Sequence, residues 1–316
     1  MNGTGVAQDF KTAAALYAMA AAQGVASAQC NLGVLFEGGR GVAKDCKAAV
    51  GWYMKAALQG YANGQKCLGW CYDNGAGVAQ DFKTAAAWYA KAAAQGHAGA
   101  QHNLGVLYDL GNGVAQDFKA AAAWYAKAAA QGYSYAQFNL GVLLENGAGI
   151  AQDFTAAAAW YAKAAAQGYA EAQFNLGILH ERGTGVAQDF KAAAAWFAKA
   201  AAQGDAEAQH NLGLFYANGS GVAQDFKAGC VVRQGGGAGK RPSSKQSRRP
   251  LREWPGRFAR LQGRGCIVCQ GGGAGRLWSS RVLRHLPGAY SRRRCRRRLA
   301  PLKLKREAAA AAASRP

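Results

Sequence analysis

Apolar and polar positions along this chain follow a helical rhythm, and the rhythm itself repeats. In the stretch 81–116, Phe82, Ala85, Ala86, Tyr89, Ala92 and Ala93 fall at helical spacing and mark one apolar face. Trp88 and the remaining alanines widen that face until only a narrow polar stripe is left at Thr84, Lys91 and Gln95. A helix apolar over most of its circumference is packed on more than one side. The spacing predicts a first helix over 81–95. Asp81 is its N-cap, because an aspartate carboxylate accepts from the free N–H groups of a first turn. Gly96 follows at the position where a left-handed cap favours glycine. A second helix is predicted over 98–110, with Ala100, Leu104, Leu107 and Tyr108 as its stripe. Gly105 lies inside it and costs roughly 1 kcal/mol against alanine. It therefore reads as a point where the backbone of a partner helix comes close. The loop 111–116 carries Val114 as an apolar plug.

The unit is not alone. Its opening aspartate returns at Asp9, Asp45, Asp81, Asp117, Asp153, Asp189 and Asp225, each 36 residues from the next. A fixed period in this range, with each unit unable to bury its apolar face by itself, predicts a solenoid of stacked helix pairs.

The pattern A-x-x-W-Y-x-K-A-A-x-Q-G-x-A-x-A-Q-x-N-L-G-x-L-Y-x-x-G-x-G-V resembles the Sel-one-like repeat, a relative of the tetratricopeptide repeat. The resemblance covers residues 2–228, about six full units. Leu16 replaces the Trp found at 52, 88, 124, 160 and 196, and Cys67 replaces the Asn found at 31, 103, 139, 175 and 211. The resemblance implies an all-α, right-handed superhelical scaffold that binds a protein or peptide partner. Some secreted, cysteine-rich members are linked to penicillin binding, but their paired cysteines within each repeat are missing here. That hydrolytic reading is not carried over.

Charge divides the chain in two. The formal net charge is +21. Residues 1–227 hold 15 Lys and Arg against 15 Asp and Glu, so the excess lies wholly in the last 89 residues, with 23 basic and 2 acidic. The expected domains are therefore a repeat array over 1–228 and a disordered basic tail over 229–316. No apolar run approaches the 18 or so residues of a membrane span, so no membrane partner is expected. The opening residues lack a basic and apolar leader, which favours the cytoplasm, although the chain begins inside a repeat. The eight cysteines do not follow the 36-residue period. They read as small buried or incidental residues rather than a disulfide framework.

The conspicuous side chains fit plain packing roles. Trp88, Tyr89 and their equivalents fit an inter-repeat core at helical spacing. The Lys91 stem is expected to cover alanine surface with its ammonium in water. Asn103 is expected to hydrogen-bond a neighbouring loop. His97, His102, His180 and His210 lack metal-ligand spacing and are expected at the surface. No catalytic constellation, metal site or cofactor motif emerges. Copies differ mainly after the glycine cap (Val25, Tyr61, His97, Tyr133, Tyr169, Asp205) and one turn on (Cys30, Lys66, His102, Phe138, Phe174, His210). Tyr133, Tyr135, Phe138, Tyr169 and Phe174 concentrate aromatics in two adjacent units, and exposed aromatic clusters serve as interface anchors. They form the expected partner-binding patch.

The tail keeps the period and loses the side chains. GCVVRQGGGAGK at 229–240 returns as GCIVCQGGGAGR at 265–276, again 36 residues on. With synonymous codon choices, residues 229–275 back-translate in a shifted frame into the repeat's own sequence. The phosphate-loop-like run at 235–240, the Cys266–Cys269 pair and the run RRRCRRR at 292–298 are all accounted for as misread repeat. A basic segment still attracts nucleic acid through phosphates, so a nucleic-acid-associated protein is the alternative to the interaction scaffold. The array breaks off inside a helix at Ala228. Solenoid ends need polar caps, and end-to-end self-association is expected there.

Overall fold

The structure is a computed structural model that describes residues 8–225. The tail, its shifted-frame reading, its nucleic-acid role and the break at Ala228 all lie outside the described residues. Among the described residues the chain is all-α, with twelve helices of 13 residues. They run α1 (Phe10–Ala22), α2 (Ala26–Gly38), α3 (Cys46–Leu58), α4 (Ala62–Asn74), α5 (Phe82–Ala94), α6 (Ala98–Leu110), α7 (Phe118–Ala130), α8 (Ser134–Asn146), α9 (Phe154–Ala166), α10 (Ala170–Arg182), α11 (Phe190–Ala202) and α12 (Ala206–Asn218). Odd-numbered helices are the first of each pair and even-numbered helices the second.

The termini form as the caps dictate. Asp81 accepts from the Thr84 amide at 3.0 Å and from its hydroxyl at 2.6 Å. Those bonds favour the ionised carboxyl and hold its pKa below the usual value. Gly96 takes φ +86° and Gly111 φ +72°, closing α5 and α6. Gly113 is required twice over. Its φ is +70°, and a Cβ there would overlap the Phe82 backbone where the loop folds back on its own pair. Val114 packs half-buried under that loop, as expected of a plug.

Each second helix packs more extensively on the first helix of the next pair than on its own partner. The core is accordingly a chain of inter-pair clusters. Tyr53, Tyr89, Tyr125, Tyr161 and Phe197 are its largest fully buried side chains. The interior glycine explains how each ring fits. A Cβ on Gly105 would come within 2.7 Å of the Tyr125 ring and 3.3 Å of the Ala121 carbonyl. The close neighbour is thus chiefly the next pair's tyrosine ring, with the helix backbone behind it.

Two polar devices tie pairs together. Gln101 donates to the Ala93 carbonyl at 3.2 Å and accepts from Gln131 at 2.8 Å. This amide ladder recurs from Gln29 to Gln203, and among the described residues the Oε1 of Gln209 is buried without a partner. The second device joins three of the four buried tyrosines to an acid on the preceding second helix. The Tyr53 hydroxyl donates to Glu37 at 2.6 Å, Tyr89 to Asp73 at 3.2 Å and Tyr161 to Glu145 at 2.7 Å.

Three expectations need correction. Asn103 bonds to no loop in this arrangement: it meets the Tyr89 hydroxyl and the His102 ring. Trp88 is only half-buried against the preceding cluster. The Lys91 ammonium, rather than standing free in water, lies 4.1 Å from the centre of the Trp88 ring. The two side chains lie one turn apart on the same helix face, where they meet, and the ring's negative face attracts the charge. The same pair recurs as Lys55–Trp52, Lys127–Trp124, Lys163–Trp160 and Lys199–Trp196, at 4.0 to 4.2 Å. The four described cysteines are free, with Cys30 and Cys71 buried.

Candidate functional site

The candidate site lies where the second helices begin. Their N-cap residues have extended backbone, so their side chains project past the helix end. His97 and Asp205 turn back and cap their own helices, accepting from Ala100 and Ala208 amides at 3.3 and 2.7 Å. Tyr133 and Tyr169 make no side-chain cap. A phenol oxygen is too far from its own backbone to reach the first-turn amides, and these rings lie along the array instead.

The structure brings four of the five expected aromatics together. Tyr135 meets Tyr133 at 5.7 Å between ring centres and Tyr169 edge-on at 5.1 Å. Phe138 meets Tyr169 edge-on at 5.1 Å. Spacings and tilts of this kind suit the quadrupoles of aromatic rings. Tyr135 is 50% exposed and forms the crest, while Tyr133, Tyr169 and Phe138 are half-buried. Burial raises the hydroxyl pKa of Tyr133 and of Tyr169, with Tyr135 adding to both and Glu171 to the second.

Phe174 does not join the ridge. It packs on Phe197 at 5.8 Å within the core cluster of the last pair. Phe138 shares this second role through Tyr161, at 5.7 Å. The reason lies in their common position one turn into the second helix. That position points at the next pair's core ring, so its variation from copy to copy is variation in packing.

The same geometry corrects the histidine reading. His102 is buried, against Tyr125 at 5.7 Å, Tyr133 at 5.3 Å and Tyr135 at 6.0 Å. Its Nδ1 and Nε2 pair with Asn103 and Asn139, both at 3.2 Å. Burial depresses its pKa to about 4, against a smaller opposing effect of Asn103. His102 is thus the floor of the ridge, and it belongs to the site although sequence reasoning placed it on the surface. His97 and His180 are half-buried, and only His210 of the four is exposed. His97 meets Asn63 at 2.8 Å, which in turn donates to the Tyr61 hydroxyl at 3.2 Å, so the ridge continues toward the N-terminus in polar form. Beyond Tyr169 it ends in Glu171, Asp205 and Glu207. Among the described residues no group of three or more His, Cys, Asp or Glu side chains is arranged to hold a metal ion, and no helix is long and apolar enough to cross a membrane.

Comparisons with known proteins agree with this architecture. The family model for the Sel1 repeat matches residues 1–25, 26–61, 68–97, 98–133, 134–169, 170–205 and 206–229. The matches 26–61, 98–133, 134–169 and 170–205 each hold a second helix and the first helix that follows, the same pairing that packs most extensively here. No curated protein matches the chain. Among solved structures, the protective antigen c5321 of uropathogenic Escherichia coli, described as displaying an SLR fold, is 38% identical with a TM-score of 0.68. The match covers 71% of this chain and 48% of that one, so this chain corresponds to about half the antigen's length. A Sel1 repeat protein from Oxalobacter formigenes is 28% identical with a TM-score of 0.64, over 76% of this chain and 100% of that one. With the 36-residue pair seen in the sequence, built in the structure and matched seven times, the chain belongs to the Sel1 repeat family.

Proposed function

We propose that this chain is a non-catalytic interaction scaffold that holds a peptide segment of a protein partner against its aromatic ridge. The observation that carries the reading is the ring cluster Tyr133–Tyr135–Tyr169–Phe138 on the buried His102. Half-buried rings offer a large apolar contact at little entropic cost, since packing already holds them. Tyr135 supplies the exposed crest and Tyr133 and Tyr169 the hydroxyls at its flanks, a combination that suits an apolar side chain with backbone groups around it. Membership of a repeat family built for protein interaction supports the same reading.

Panning a peptide library on the full chain tests it. Enriched peptides should lose at least about tenfold in affinity on Tyr135→Ala with Tyr169→Ala, the loss typical of hot-spot residues. The circular dichroism spectrum should not change. Equal binding by the double variant would remove the ridge from the function.

A further inference from the structure

The first helices carry a second surface, whose evidence does not depend on the ridge. All six contain lysine, ten in total, and none contains an aspartate or glutamate. The second helices hold seven acids against one lysine and one arginine. The repeat array is neutral overall, and each first helix from α3 on has its acid at the N-cap, as at Asp81, and its ladder lysine in the last turn, as at Lys91. Five of those lysines, Lys55, Lys91, Lys127, Lys163 and Lys199, are exposed and sit over tryptophan rings at 4.0 to 4.2 Å. An ammonium stacked on an indole has given up part of its conformational freedom before any partner arrives. Within the helices the exposed neighbours of the lysines are alanines, as at Ala87, Ala90 and Ala94, with the exposed C-cap glutamines, such as Gln95, one turn further on. The ladder starts at the second pair. In α1, Leu16 and Met19 occupy the corresponding positions and are 61% and 64% exposed.

We propose that this face binds an extended acidic peptide with a carboxylate at every third residue. The amide ladder links the C-terminal ends of successive first helices through a glutamine of the intervening second helix, on which both pack, so neighbouring ammoniums stand one repeat apart, on the order of 10 Å. An extended chain advances about 3.3 Å per residue, so three residues span one rung. Five rungs take five carboxylates in about thirteen residues. A nucleic acid fits less well. Its strands carry a phosphate about every 3.4 Å, several for each lysine. The face also lacks arginine for bidentate contacts, and its tryptophans are capped by lysine instead of being open to base stacking.

The test uses the full chain and labelled 13-residue peptides read by fluorescence anisotropy. One peptide has five glutamates at every third position with Gly-Ser between them. The other has the same composition with the five glutamates in a block. The basic segment 229–316 is present in every protein compared, so the variants are read against one common background. The spaced peptide should bind at least about fivefold more tightly than the block. Lys91→Gln with Lys127→Gln and Lys163→Gln should weaken it by about tenfold, given that exposed pairs contribute modestly and add. The three Lys→Arg changes should restore most of the loss. The pair Tyr135→Ala and Tyr169→Ala should leave this peptide's affinity unchanged, which separates the two surfaces. Equal affinity for spaced and block peptides, or full affinity in the glutamine variant, overturns the proposal. So does a thymidine oligonucleotide that binds more tightly than the spaced peptide and loses more on the glutamine changes, since the face would then serve nucleic acid.

Discussion

The two helices of each pair are built to different rules. First helices are near copies: α5, α7 and α9 differ only at Lys83, Lys119 and Thr155 and at Thr84, Ala120 and Ala156. Second helices share an interior of Gln, Asn, Leu and Gly but vary in their first turn and at their N-cap. The physical reason is the number of neighbours. A first helix touches its own partner and the second helix of the preceding pair, and it supplies the fully buried tyrosine to that junction. The cap end of a second helix meets solvent, where a ring, an imidazole or a carboxylate costs little. Repetition therefore marks what must stack, and variation at the cap marks what is free to specialise.

The largest effect should separate these rules within one protein. Tyr89→Ala removes a fully buried ring at a junction and should cost about 3–5 kcal/mol. Because a solenoid's stability is a sum of units and interfaces, urea unfolding should split into two transitions around the weakened junction. Tyr135→Ala removes a ring of similar size from the crest and should shift the midpoint by less than about 0.5 kcal/mol. Equivalent losses in the two variants would mean that the ridge is part of the stacking core.

His102 sits on the border between the two regions, and pH reads its side. Its pKa is about 4 in the folded chain against an ordinary 6.5. A depressed base takes up its proton more readily when unfolded. Its contribution is therefore complete above pH 6.5 and is lost as pH falls toward about 4, a loss of about 2–3 kcal/mol at the lower limit. His102→Phe places there the residue found at Phe138 and Phe174. Chemical denaturation at pH 7 and pH 4.5 should show a smaller acid loss in the variant than in the parent. An unchanged difference would show that the imidazole is solvated.

Much of this was legible in one unit. Asp81, Gly96 and Gly111 bound their helices because caps act locally. The apolar stripes were correct because helical period is local too. What one unit could not show is what lies across the junction. His102 looks like a surface residue until Tyr125 and Tyr133 are placed around it. Phe174 looks like part of a patch until Phe197 takes it into the core. Lys91 and Trp88 are three residues apart on one helix, a spacing at which side chains meet, so their stacking is legible in the sequence alone. The acids at 37, 73, 109, 145 and 181 also recur with the 36-residue period, and that recurrence was the available signal for the tyrosine lock.

That lock gives the finest test of stacking, because the chain already holds a natural variant of it. Glu181 occupies the lock position, but Phe197 stands where a tyrosine would donate to it. Burial pushes the Glu181 carboxyl pKa up, against a smaller opposing effect of Arg182. Tyr161→Phe should copy this state at Glu145 by removing a 2.7 Å bond to a carboxylate, at a cost of about 1–2 kcal/mol for a half-buried acceptor. Phe197→Tyr should do the reverse. The added hydroxyl would donate to Glu181 and stabilise the last junction by about 0.5–1 kcal/mol. It should also lower the Glu181 pKa, which carboxyl carbon NMR titration can follow at that residue. The paired changes isolate one hydroxyl with the ring held constant. If Phe197→Tyr destabilises the array and leaves the Glu181 titration in place, the last pair is stacked differently from the three junctions that carry the lock, and the lock is not a general property of the repeat.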